Sequence, residues 1–258
     1  MTSITLSTNS TNTTQRGVIR RIVSVAKLHL VNTSGLFGLP LFILFFISIF
    51  NLLVAWLMIA IGAKAEVNGA GDAVWIGNVN IFIIIYMLVV AVQSINLTFP
   101  FAQGYSVTRK DFYRGSIAAY LLLSLAYGAL LTVLAQLEQF TSGWWLRIQM
   151  YSLNPIGVTG WLEQFFVFFA ALLFFFFLGA AAAGLYVRFR TWGMALFFST
   201  LGLLLLGVIA IPLLTNTGAQ VLAWFAETGA VGLAAWSLIA TLVLAIIGSM
   251  ILRRATAA

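Results

Sequence analysis

The densest group of ionisable side chains in this 258-residue chain is GYSVTRKDFYRG at positions 104–115, in a sequence where only 7% of residues are charged. Arg109, Lys110 and Arg114 supply three cations, Asp111 supplies one carboxylate, and Phe112 and Tyr113 supply two rings. Cations of this kind can pair with acidic groups and adjacent rings can fill apolar pockets, which is one use open to the stretch. A competing reading is simpler: a solvated loop whose cations only report which way a membrane protein faces. Long apolar runs on both sides put the stretch in water between two membrane-spanning segments.

Other chemistry finds few candidates. There is no cysteine, which removes disulfides, thiolate metal sites and thiol nucleophiles. The single histidine, His29, belongs to a basic amphipathic stretch, where a lone imidazole reads as an interfacial polar group rather than a ligand or base. No histidine or carboxylate lies in the middle of any apolar run, as an intramembrane protease or a proton relay requires. No GxxxxGK[ST] phosphate loop occurs either, so the chain itself is not expected to be an enzyme that hydrolyses ATP. The polar residues within the apolar runs are neutral: Asn51, Tyr86, Gln93 and Asn96, with Ser94, Tyr120, Ser124 and Tyr127. Tyr86 and Gln93 are seven apart and Asn96 is three further on, which approximates one helix face. Such a face either lines a substrate pathway or makes hydrogen bonds between helices, and the sequence leaves both open.

The scaffold for these residues follows from composition. With 62% hydrophobic residues, a mean hydropathy of +1.07 and several uncharged runs longer than a bilayer requires, the chain reads as an all-α polytopic membrane protein. A net charge of +7 without a basic domain reports membrane orientation rather than nucleic-acid binding. Residues 1–15 are polar and read as a disordered tail, and residues 16–33 as an amphipathic helix lying on the bilayer with Arg16, Arg20, Ser24 and Lys27 on its wet face. NTSG at 32–35, with Gly38 and Pro40, is expected to break that helix. Six spans follow at about 36–61, 76–101, 116–137, 164–187, 191–214 and 231–252, then a tail at 253–258. The segment 138–160, with Trp144, Trp145 and Tyr151 and with Trp161 beyond it, reads as material along the interface. Small residues GAAAAG at 179–184 permit close helix approach, within one chain or between two.

Counting cations sets the expected orientation. With the amino terminus inside, only Lys64 and Arg147 of the 13 Lys and Arg residues fall outside, and Asp111 is the one acid within. Both termini are therefore expected in the cytoplasm, in a cell membrane.

Six spans, an amphipathic amino-terminal helix, and Thr108, Arg109, Phe112 and Gly115 between spans two and three resemble the permease subunits of ABC exporters of the type V fold. The resemblance implies that Val107, Thr108, Arg109, Lys110, Asp111, Phe112, Tyr113 and Arg114 form a coupling helix seated in a groove of a separate ATP-binding subunit. It implies that ATP and magnesium bind to that partner, with no cofactor or metal on this chain. A second copy or a homologous permease would complete the transporter, which would move an amphipathic or hydrophobic substrate outward. A short outer helix is expected at 219–228. The importer pattern of Glu-Ala-Ala followed by a spaced Gly is absent from the segments read as cytoplasmic. Two readings stand beside this one: a non-transporting membrane anchor or assembly protein, and a passive channel or facilitator.

Overall fold

The computed structural model describes residues 23–27, 33–61, 79–104 and 108–253. The expected tail at 1–15, most of the amphipathic stretch, the loop of Lys64, Glu66 and Asp72, Val107, and the tail beyond Arg253 lie outside the described residues. Residues 23–27 are helical, with Val25 and Ala26 buried and Val23, Ser24 and Lys27 exposed.

The described residues are helical, without strands, and hold five helices long and apolar enough to cross a membrane. They are α1 (Leu39–Ala60), α2 (Asn80–Gly104), α3 (Arg109–Phe140), α4 (Trp161–Leu214) and α5 (Gly218–Arg253). A π turn, Ser34–Gly38, leads into α1. The described part of the stretch where a break is expected, residues 33–40, is a widened helical turn, and Asn32 lies outside the described residues. Pro40 follows directly on the π turn, and its missing N–H leaves a carbonyl of that turn without a backbone donor. Two π-turn carbonyls find tyrosines instead: Tyr86 Oη donates to Gly35 O at 2.6 Å, and Tyr127 Oη donates to Leu36 O.

Helix α4 cannot be one straight rod. Its 54 residues would extend about 80 Å at 1.5 Å each, against a hydrocarbon core of about 30 Å. Arg190 interrupts it at φ 54° and ψ −134°. A Cβ on Gly193 would run into the Leu185 carbonyl oxygen, although eight residues of unbroken helix rise about 12 Å, so the chain turns sharply there. Arg188 lies over the Phe189 ring at 4.8 Å within the same turn. Helix α5 is interrupted in the same manner at Gly229, with φ 61° and ψ 176°, which separates a short helical piece over residues 218–228 from the rest.

The core lies among α2, α3 and the first part of α4. A Cβ on Gly179 would meet the Leu88 carbonyl oxygen at 2.5 Å, so the small residues at 179–184 pack inside the chain against α2. Gly128 admits the Phe169 backbone to α3 in the same way, at 3.4 Å from a would-be Cβ. Tyr120 stacks on Phe176 with centroids 5.1 Å apart and meets Phe177 edge-on at 5.9 Å.

In the segment between α3 and α4, Trp145 and Trp161 are exposed, whereas Ile148, Met150, Tyr151, Leu153 and Val158 are buried, so the segment is a folded cap. Its cause is polar, as the cap's contacts make plain.

Candidate functional site

The basic motif is the beginning of α3. Thr108 caps the helix in an extended conformation, and its side chain accepts from the Asp111 N–H at 3.2 Å. Asp111 occupies the first turn, where the helix dipole favours a carboxylate, so Thr108 and Asp111 together write a helix start. Helix α3 then runs on without interruption to Phe140. The motif is therefore no separate short helix: it is the rigid end of a 32-residue rod.

Its aromatic residues point inward. Phe112 is buried and meets Phe99 of α2 edge-on at 5.3 Å. Tyr113 is buried, and its hydroxyl donates to the Ala245 carbonyl of α5 at 2.5 Å. Gly248 makes that approach possible, since a Cβ there would come 3.0 Å from the hydroxyl. The expectation that Phe112 or Tyr113 inserts into a partner's pocket is corrected: both rings are taken up by their own chain, because an apolar seam between α2, α3 and α5 was available to them. Asp111 is buried as well, whereas Thr108, Lys110 and Arg114 are exposed and Arg109 is half-buried. What remains for contact is a cationic face carried on a fixed base.

Beside this face runs a cleft of about 290 Å³ between the first turns of α3 and the last turns of α5. Arg109, Lys110 and Arg114 line one wall, and Leu242, Ile246 and Ser249 line the other.

The four residues expected on a substrate pathway separate. Tyr86 and Gln93 line one cleft of about 390 Å³ at the seam of the π turn, α1 and α2. Asn96 does not line it; three further residues rotate it about 60° from Gln93, and its buried Oδ1 has no hydrogen-bond partner among the described residues. Asn51 donates to the Ile47 carbonyl of its own helix at 2.8 Å. Tyr86 is engaged with Gly35, so Gln93, which is exposed, is the member of the set open to the cleft.

Sequence reasoning missed Glu138. Its carboxylate, in the last turn of α3, is buried and accepts the N–H groups of Met150, Tyr151 and Ser152 at 2.8, 2.9 and 3.0 Å and the Trp144 indole N–H at 3.2 Å. This bouquet folds the cap back on the bundle. Asn80 of α2 donates to Tyr151 O at 2.9 Å, Gln164 of α4 donates to Val158 O at 3.2 Å, and Ser48 of α1 pairs with the Tyr151 hydroxyl. Burial pushes the Tyr151 phenol up, the Ser48 contact draws it partly back, and the Glu138 charge raises it further. A signal was present: a carboxylate in a helix's last turn opposes the dipole, so it needs donors from elsewhere.

Among the described residues no three His, Cys, Asp or Glu side chains gather as metal ligands would. Comparison of the chain with protein-family models, with curated proteins and with solved structures finds no match.

Proposed function

We propose that the chain is the membrane permease of an ATP-driven exporter, with the cationic end of α3 as the seat of a separate ATP-binding subunit. The observation that carries this reading is the anchoring of Phe112 on α2 and Tyr113 on α5, which makes Lys110 and Arg114 the exposed tip of a lever joined to three helices. Force on such a tip moves packed helices as a body, whereas force on a free loop is lost in the loop. Six spans with both termini cytoplasmic belong to the same reading. The sharp turn at Arg190 supports counting α4 as two spans, the separate piece at 218–228 supports a short outer helix, and the cation distribution supports the orientation. ATP and magnesium would be held by the partner, and a second copy or a homologous permease would complete the pathway for an amphipathic or hydrophobic substrate.

The test is copurification from the native membrane in mild detergent, followed by an ATPase assay. Arg109→Glu with Lys110→Glu is expected to weaken capture of the ATP-binding subunit at least tenfold while leaving membrane insertion intact. Capture that survives the double reversal removes the docking reading.

One observation favours the second reading, a membrane anchor or assembly protein. Tyr86, Tyr127 and Asn51 give their donors to backbone carbonyls within the bundle, which takes three polar groups away from a route. Purification without any ATPase would turn the assignment that way.

A further inference from the structure

We infer that the cleft between α3 and α5 is a binding site for the headgroup of an anionic phospholipid. The inference rests on the membrane setting of the helices and needs neither export nor a partner subunit.

The lining is ordered along the two helices. Arg109, Lys110 and Arg114 precede the uncharged run of α3, so they stand at the level where a span meets the headgroups. Ile117, Leu242 and Ile246 line the same cleft toward the apolar part of both helices. A phospholipid has this order too: phosphate at the surface, acyl chain beneath. Among the described residues that line the cleft there is no carboxylate. Lys110 and Arg114, both exposed, bring two like charges to one volume, and anionic lipid is the anion that a membrane supplies at that depth. Ser249 adds a hydroxyl on the opposite wall, although it already donates to Ile246 O at 2.8 Å, so it serves an anion only as a secondary group.

The cleft is held open by its own construction. The Tyr113 hydroxyl bonded to Ala245 O, with Gly248 giving it room, fixes the distance between the two helices beneath the cations. A volume of about 290 Å³ corresponds to about ten waters, enough for a phosphate-glycerol group with the first methylenes and too small for a whole lipid. The acyl chains would therefore leave the cleft along the exposed apolar surface of Leu242 and Ile246. A lipid seated here shares its cations with the docking surface, which makes subunit docking sensitive to headgroup charge.

The experiment uses the full chain purified alone, loaded from phosphatidylglycerol or phosphatidylcholine vesicles, with retained lipid counted by native mass spectrometry. Phosphatidylglycerol is expected to be retained in preference to phosphatidylcholine. Lys110→Ala with Arg114→Ala is expected to reduce that retention about thirtyfold, at about fivefold per cation near a charged headgroup. Because both side chains are exposed, the fold should survive, and the charge-preserving pair Lys110→Arg with Arg114→Lys should retain the lipid. Equal retention of the two lipids, or retention unaffected by the alanine pair, overturns the proposal. Displacement of phosphatidylglycerol by millimolar inorganic phosphate also overturns it, by showing a soluble-anion site. None of these outcomes depends on an ATP-binding subunit, so loss of this inference and loss of the exporter reading are separable.

Discussion

The two parts of α4 on either side of Arg190 have nearly the same apolar character and opposite surroundings. In the first, Phe168, Leu172 and Phe176 are buried, whereas in the second Leu203, Leu206 and Leu214 are 70%, 64% and 81% exposed. Hydrophobicity does not decide the difference, since acyl chains and protein interiors attract leucine equally. Small and polar residues decide it. The first part carries Gly179 against the Leu88 carbonyl and Gln164 bonded to both Gln136 and Val158, while Gly202 of the second part has open space around it. A helix apolar on all sides becomes an inner helix where backbones can touch, and presents bare apolar surface where they do not.

The largest expected effect comes from removing the polar tie that closes the inner part. Glu138→Ala leaves three backbone N–H groups without their acceptor, at about 1–2 kcal/mol each, so a loss of about 3–6 kcal/mol is expected. Thermal unfolding in mild detergent should show it, together with protease cleavage within 142–160. A melting temperature equal to that of the native chain would mean that the cap closes on apolar contacts alone. Next in size is Gly179→Leu, whose Cβ would begin 2.5 Å from the Leu88 carbonyl oxygen and force α2 and α4 apart. Overpacking of this kind costs about 1–3 kcal/mol, measurable as an earlier midpoint in denaturing-detergent titration.

The apolar runs, the GAAAAG approach and the turn at 188–190 are legible in the sequence because each follows from a strong local preference. Runs longer than a bilayer thickness must be spans, and a Gly-Ala patch must meet a neighbour. The start of α3 is harder, because Thr108 and Asp111 can be read as part of a docking motif when they are also a capping pair. Phe112 and Tyr113 look free in the sequence, and only the positions of Phe99 and Ala245, 13 residues before and 132 residues after, show that they are occupied. Glu138 was the hardest: its donors lie 12 to 14 residues ahead in a segment with no periodicity, so no local rule connects them. In the same way the shared face of Tyr86 and Gln93 follows from helical spacing, which leaves Asn96 off it, but the carbonyl that claims Tyr86 comes from a π turn 51 residues away.

The smallest effect is expected at the outer counterpart of Gly179. Gly202→Leu adds a side chain where nothing stands within 4 Å, so no neighbour must move. Glycine is a poor helix residue by about 0.8–1.0 kcal/mol, and replacing it in the middle of α4's second part should therefore stabilise the chain by no more than that amount. The two substitutions are the same chemical change in the same helix, and they are expected to shift the denaturing-detergent midpoint in opposite directions. If Gly202→Leu destabilises the purified assembly as Gly179→Leu does, the second part of α4 is covered by another chain or copy in the membrane. Its exposed leucines would then belong to an interface, and Gly202 would be read as Gly179 is: a place where another backbone comes close.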